Sequence, residues 1–124
     1  MINLSVVVLT KNEERNIQRC LESVAGWANE IVVVDDESTD RTVDIVSRYT
    51  DRIIIRKMDI EGRHRNFAYA QAKNLWVLSL DADEMATEEL KGEIKDALSK
   101  HPQYNGFTIP RRNFIGDYWV RYGG

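Results

Sequence analysis

Two runs of mostly β-branched residues, Leu4-Ser5-Val6-Val7-Val8-Leu9 and Ile31-Val32-Val33-Val34, constrain this chain more than any other feature. Neither alternates polar with apolar, so neither suits a sheet with one wet face. A strand that is apolar on both sides belongs to a parallel sheet covered by helices on both sides. The intervening segments supply those helices. From Glu13 to Val24, the residues Ile17, Leu21 and Val24 share one helical face, and Gly26 ends the element. Ser38-Thr39-Asp40 is a turn and helix start, and Val43 and Val46 mark the buried side of the helix that follows. Ile53-Ile54-Ile55 is a third strand, and Lys57 to Gly62 a loop. Arg63 to Lys73 is a helix with Phe67 and Ala70 inward, and Leu75 to Leu80 a fourth strand. Thr87 caps a helix with Glu88 and Glu89 in its first turn, a stripe of Leu90, Ile94, Ala97 and Leu98, and an end at His101-Pro102. Gly106 to Ile109 is expected as a fifth strand. Strand alternating with helix implies right-handed crossovers. The expected fold is therefore α/β, a Rossmann-like three-layer sandwich with a mostly parallel central sheet, in one domain over residues 1–124.

Composition narrows the function. The formal net charge is −3, which argues against non-specific binding to nucleic acid. Cys20 is the single cysteine, so no internal disulfide can form. Together with the lack of a signal-peptide pattern, this sets the expectation of a reducing, cytoplasmic location. The apolar run Leu4 to Leu9 is far shorter than the roughly 20 residues that cross a bilayer. Peripheral contact with the inner face of the cytoplasmic membrane stays open.

In an open parallel sheet, ligands sit outside the carboxyl ends of the strands. Polar clusters fall there three times: Thr10-Lys11-Asn12-Glu13 after the first strand, Asp35-Asp36 after the second, and Asp81-Ala82-Asp83-Glu84 after the fourth. Asp81 and Asp83, two apart in an extended segment, would present both carboxylates to one cation, Mn or Mg. Asp35 and Asp36 would repel each other unless something binds them, and a carboxylate accepts the ring N–H of a base such as uracil. Backbone N–H groups of the Thr10 to Glu13 loop would favour an anion or a polar base. Arg63, His64 and Arg65 form a basic cluster, and arginine forks suit the oxygens of a diphosphate. Ordinary turn and cap chemistry accounts for any one of these clusters alone, and His64 alone reads as a packing residue. Convergence on one rim is what makes a site. Arg111-Arg112-Asn113 and Tyr118-Trp119 would fit an acceptor groove or a tail equally well. Trp27 and Trp76 are assigned to the core, and Cys20 to a helix with no redox role.

The segment from Leu4 to Glu14, the segment IVVVDDESTDRT from Ile31 to Thr42, and Arg65-Asn66 followed by LWVLSLDADE from Leu75 to Glu84 together resemble the family 2 glycosyltransferases, in order and over nearly the whole chain. Within that family the look is closest to lipopolysaccharide core glucosyltransferases. The resemblance implies the nucleotide-sugar-binding half of a GT-A type domain. It also implies an inverting, metal-assisted transfer from a nucleotide-diphospho-sugar, usually UDP-linked, to an acceptor hydroxyl on a glycan or glycolipid. By that resemblance Thr10, Asn12 and Glu13 lie in the uridine-side loop, with Lys11 among them, and Asp35 or Asp36 holds the base. Asp81 lies near the ribose or sugar and Asp83 ligates the metal; Arg63 and Arg65, from their charge and forked donors alone, would attend the diphosphate. Lys11 stands where an aromatic residue is often found. Family domains normally continue further and supply the general base there. The acceptor-side half, and that base, are thus expected beyond residue 124, and the 124 residues alone are expected to bind donor better than they transfer sugar. Rival readings are a non-catalytic nucleotide-sugar-binding module, a receiver-type signalling domain and a sugar nucleotidyltransferase. A receiver needs acids after its first strand and a phosphoacceptor Asp after its third, where this chain has Thr10-Lys11-Asn12 and Arg56-Lys57. A nucleotidyltransferase needs a Gly-rich first loop.

Overall fold

The computed structural model describes residues 2–100 and the short segments 113–114 and 119–121. The elements are β1 (Ile2–Thr10), α1 (Ile17–Glu22), β2 (Ala28–Asp35), α2 (Thr42–Val46), β3 (Ile53–Ile55), α3 (Glu61–Ala70), β4 (Trp76–Asp81), β5 (Glu84–Ala86), α4 (Glu88–Lys100), β6 (Asn113–Phe114) and β7 (Trp119–Arg121). The main sheet has the order β3-β2-β1-β4-β6, and every pairing in it is parallel. β5 and β7 form a separate antiparallel ribbon. The expected three-layer α/β architecture is present.

The valine runs explain the layering. Successive side chains of a strand point to opposite faces. Leu4, Val6 and Val8 pack with Ile17, Cys20 and Leu21 of α1, Val46 of α2, and Leu90 and Ile94 of α4. Val7, Val32, Val34 and Val77 face the other way, against Ala68 of α3 and Ala72. Each fully buried Val or Leu is worth about 1.5–3 kcal/mol. α1 and α2, at six and five residues, are too short to persist alone, so the sheet holds them in place rather than the reverse.

Several local expectations shift. The turn that begins at Glu13 becomes regular helix only at Ile17, and Asn12 ahead of it is left-handed (φ 51°). Gly26, at φ 77°, supplies the backbone turn expected after that helix. In α2 the buried pair is Thr42 and Val46, with Val43 half-buried, because the Thr42 hydroxyl accepts the Glu13 N–H at 2.8 Å. In α3 the inward residues are His64 and Ala68, while Phe67 is half-buried and Ala70 exposed. An imidazole takes the inward place because Arg56 satisfies it, with Nη1 2.9 Å from Nδ1. Thr87 caps α4 as expected, its Oγ1 accepting the Leu90 N–H at 3.0 Å. The expected strand at Gly106 to Ile109 and the helix end at His101-Pro102 lie outside the described residues, as do Arg111, Arg112 and Tyr118. Trp27 and Trp76 pack against the core.

A buried acid ties the amino ends of the strands together. Glu30 Oε1 accepts from Ser5 Oγ at 2.6 Å and from the Lys73 N–H at 2.8 Å. Among the described residues no helix is long and apolar enough to cross a membrane.

Candidate functional site

The sheet order places β1 between β2 and β4, so the chain reverses its direction of winding there. That is the switch point where open α/β sheets bind ligands. Register sets Leu9 beside Asp81 and Thr10 beside Asp35. The three polar clusters read from the sequence therefore share one rim.

The two adjacent aspartates have different surroundings. Asp35 is 1% exposed. Its Oδ1 accepts from Thr10 Oγ1 and Ser38 Oγ, both at 2.6 Å, and its Oδ2 accepts the Ser38 N–H at 2.8 Å. Both oxygens are committed to holding β1, β2 and the loop after β2 together. Asp36 projects the other way. Its Oδ1 accepts the Met58 N–H at 2.9 Å, and its Oδ2 lies 3.6 Å from Lys11 Nζ on the open side. The Met58 N–H, with Lys11 and His64 assisting, holds this carboxyl below the usual aspartate range in spite of its burial. Asp36, itself 8% exposed, stays ionised, and its Oδ2 faces the exposed Lys11 ammonium rather than a hydrogen-bond donor of the core.

The loop after β1 is stitched to the loop after β2. The N–H groups of Asn12, Glu13 and Glu14 donate to Ser38 Oγ, Thr42 Oγ1 and Asp40 Oδ2 respectively, and the Thr39 N–H donates to Asn12 Oδ1. The expectation that these N–H groups of the first loop await an anion is therefore corrected: they are spent inside the protein. Thr10 is buried on Asp35, and Lys11 and Asn12 are exposed. Glu13 is half-buried and accepts from Asn16 Nδ2 at 3.2 Å.

Asp81 ends β4, and Ala82-Asp83 turn the chain into β5. The geometry is a tight turn, not the extended segment expected, and the Asp81 N–H closes it by donating to Glu84 Oε1 at 2.9 Å. The turn nevertheless gathers carboxylate oxygens of Asp81, Asp83 and Glu84 within 4.8 Å of one another. Glu84 is 1% exposed. Hard, anionic oxygen donors at this spacing fit Mg²⁺ or Mn²⁺ and do not fit a soft metal. Asp81 and Asp83 were legible as a pair. Glu84 was not, since nothing in a DADE string says that the last acid folds inward.

Arg65 reaches this cluster from α3, with Nη2 3.6 Å from Asp81 Oδ1 and 3.3 Å from Glu61 Oε1. Arg63 does not. It pairs with Asp59 at 3.9 Å and is 70% exposed. His64 sits between them, buried. A guanidinium only donates, so its contact with Nδ1 fixes the neutral Nε2–H tautomer. Burial and then Arg56 lower the His64 pKa accordingly. Arg56, which no sequence pattern singled out, also donates its backbone N–H to the Asp35 carbonyl at 2.8 Å and lies over the Phe67 ring at 5.0 Å.

Cys20 lies beneath the acidic turn, its Sγ 3.5 Å from the Asp81 carbonyl oxygen. Burial, then the charges of Glu84, Asp81, Asp83 and Glu13, push its pKa far up. It remains a thiol, without the reactivity of a thiolate.

Comparison with known proteins adds to this geometry. The family model described as Glycosyl transferase family 2 matches residues 5–123. An uncharacterized glycosyltransferase of Rickettsia typhi is 38% identical over 103 residues, covering 83% of this chain and 35% of the relative. The lipopolysaccharide core biosynthesis glycosyltransferase LpsC of Rhizobium meliloti is 30% identical over 120 residues, covering 93% of this chain and 44% of the relative. The crystal structure of S. aureus TarS 1-349 in complex with UDP-GlcNAc superposes with a TM-score of 0.63 and 31% identity, covering 82% of this chain and 32% of that one. The chain thus spans about a third to under half of the length of these relatives.

Proposed function

Since this chain belongs to glycosyl transferase family 2, we propose that it forms the donor side of an enzyme that moves a sugar from a UDP-linked donor to a hydroxyl of a cell-envelope glycan or glycolipid, with inversion and with a divalent cation. One observation carries the reading. The carboxylates of Asp81, Asp83 and Glu84 meet at the carboxyl end of β4, one strand away from Thr10 on β1 and two away from Asp35 and Asp36 at the end of β2. A cation site beside a base site has the layout that a nucleotide diphosphate requires. LpsC, named for lipopolysaccharide core biosynthesis, supports an envelope glycan, and the TarS complex with UDP-GlcNAc supports a uridine donor.

In this reading each residue has a distinct task. Asp36 accepts the uracil ring N–H on Oδ2, the oxygen that faces Lys11, and Asp35 acts as a positioning residue through Thr10 and Ser38. Asp83 and Asp81 hold the cation, with Glu84 fixing the turn through the Asp81 N–H. Arg65 orients Asp81 and offers positive charge near the phosphates. Lys11, 61% exposed at its side chain, is free to leave Asp36 when the base arrives. When bound, the cation offsets the negative charge that builds on the departing diphosphate. The acceptor hydroxyl needs a base, and none is assigned to it among the described residues. A UDP-linked donor, as this reading assigns, suits a cytoplasmic setting.

Calorimetric titration with UDP in the presence and absence of Mn²⁺ tests this. The native chain should bind more tightly with Mn²⁺, and Asp83→Ala should remove that gain. Equal Mn²⁺ dependence in the variant would overturn the metal role of Asp83.

A further inference from the structure

Seven of the described arginines divide by whether an acid neutralises them. Arg52, Arg56, Arg63 and Arg65 each hold a carboxylate within 4.0 Å. Among the described residues, Arg15, Arg41 and Arg48 hold none, and all three line the same groove. The groove, of about 460 Å³, runs between the first turn of α1 and the outer side of α2, with Gln18 and half-buried Ile45 completing its walls. Arg41 at the start of α2, Ile45 within it and Arg48 just past its end line one wall, and Arg15, just ahead of α1, belongs to the other. The one carboxylate lining it, Glu14, accepts the Arg41 N–H on Oε2 at 3.2 Å.

Three like charges around one concavity repel each other in the free protein, and that repulsion is relieved by an anion. Guanidinium forks present paired donors that match phosphate oxygens. The positive charge is local, because the chain as a whole carries −3. It is also separate from the donor rim: none of the three arginines touches Asp36, Asp81, Asp83 or Glu84. We propose that the groove between α1 and α2, lined by Arg15, Arg41 and Arg48, binds a phosphate group, carried by an anionic lipid headgroup or by a soluble phosphate compound. Phosphate enters between the two helices, and Gln18 adds a neutral donor.

The test uses the full chain without divalent cation or UDP, so its outcome is independent of the donor-site reading. Co-sedimentation with vesicles of phosphatidylcholine containing phosphatidylglycerol, against phosphatidylcholine alone, probes the lipid source. Calorimetry with inorganic pyrophosphate probes the soluble one. Binding to either probe that weakens with added salt, and that falls on the order of a hundred-fold in the R15Q/R41Q/R48Q variant, supports the site, since each arginine at a membrane surface contributes about five-fold. All three side chains are exposed, so the variant should keep the native melting curve. Should it misfold, Arg48→Gln alone is expected to weaken binding by about five-fold. Failure of the native protein to bind either probe, or equal binding by native and substituted proteins, overturns the proposal.

Discussion

Asp35 and Asp36 are chemically identical neighbours with opposite roles, and substituting each by Asn separates them. Asp35 is buried and accepts three hydrogen bonds, two from hydroxyls and one from a backbone N–H. Asn keeps the shape but loses the charge. Hydrogen bonds to a charged group contribute about 1.5–3 kcal/mol and neutral ones about 0.5–1.5. Asn also turns one of the two accepting oxygens into an NH2 that cannot accept, so at least one bond is lost at about 1.5–3 kcal/mol while the rest weaken by about 1 kcal/mol each, and Asp35→Asn should cost at least about 3 kcal/mol. For a chain of this size that lowers the melting temperature by roughly 10–15 °C. Asp36 makes one backbone hydrogen bond, which an amide oxygen reproduces, and one ion pair to a mostly exposed lysine, worth under about 1 kcal/mol. Asp36→Asn should therefore melt within a few degrees of native. If Asp36 accepts the uracil N–H as proposed, the variant turns an NH2 toward it instead of a carboxylate oxygen, and UDP binding should weaken about ten- to hundred-fold. Thermal denaturation and UDP calorimetry on both variants read the contrast. If Asp35→Asn melts like the native protein while losing UDP, and Asp36→Asn is the unstable one, the assignment is reversed and the argument from hydrogen-bond occupancy is wrong.

Acid sensitivity provides a separate check. The His64 pKa is lowered in the fold, so the unfolded chain takes up a proton first as pH falls from the ordinary histidine value toward the folded one. Stability should decline across that window, and urea unfolding of His64→Gln should show a flatter pH dependence there; an unchanged slope would remove His64 as its source. Asp36 works in the other direction: its folded pKa lies below the ordinary aspartate range, so its contribution persists above that range and is lost only as pH falls through the lower folded value. Acid unfolding of Asp36→Asn should lack this component. Thr87→Ala deletes the hydroxyl that accepts the Leu90 N–H and should cost about 1 kcal/mol in denaturant unfolding, with UDP binding unchanged.

The layers of this protein were readable because burial leaves a local, periodic trace. Valine runs without polar alternation can only be strands covered on both sides, and Leu4, Val6 and Val8 against Val7 divide between two cores as strand geometry requires. The acidic clusters were readable as a rim for the same reason, since strand ends follow from strand positions. The partners of each polar group were not readable. Ser38, Thr42 and Asp40 accept the N–H groups of residues 12, 13 and 14 across separations of 26 to 29 residues, and no spacing rule reports such a pairing. Asp35 and Asp36 are the same letter twice, yet the alternating pleat sends one into the protein and the other toward the rim. Glu84 folds inward, and Arg56 reaches His64, for similar reasons. Hydrophobic burial is non-directional and follows composition along the chain, so sequence alone determined the fold class and the position of the rim. Hydrogen bonds are short and directional, so only the tertiary structure decided which carboxylates hold the protein together and which remain available to a ligand.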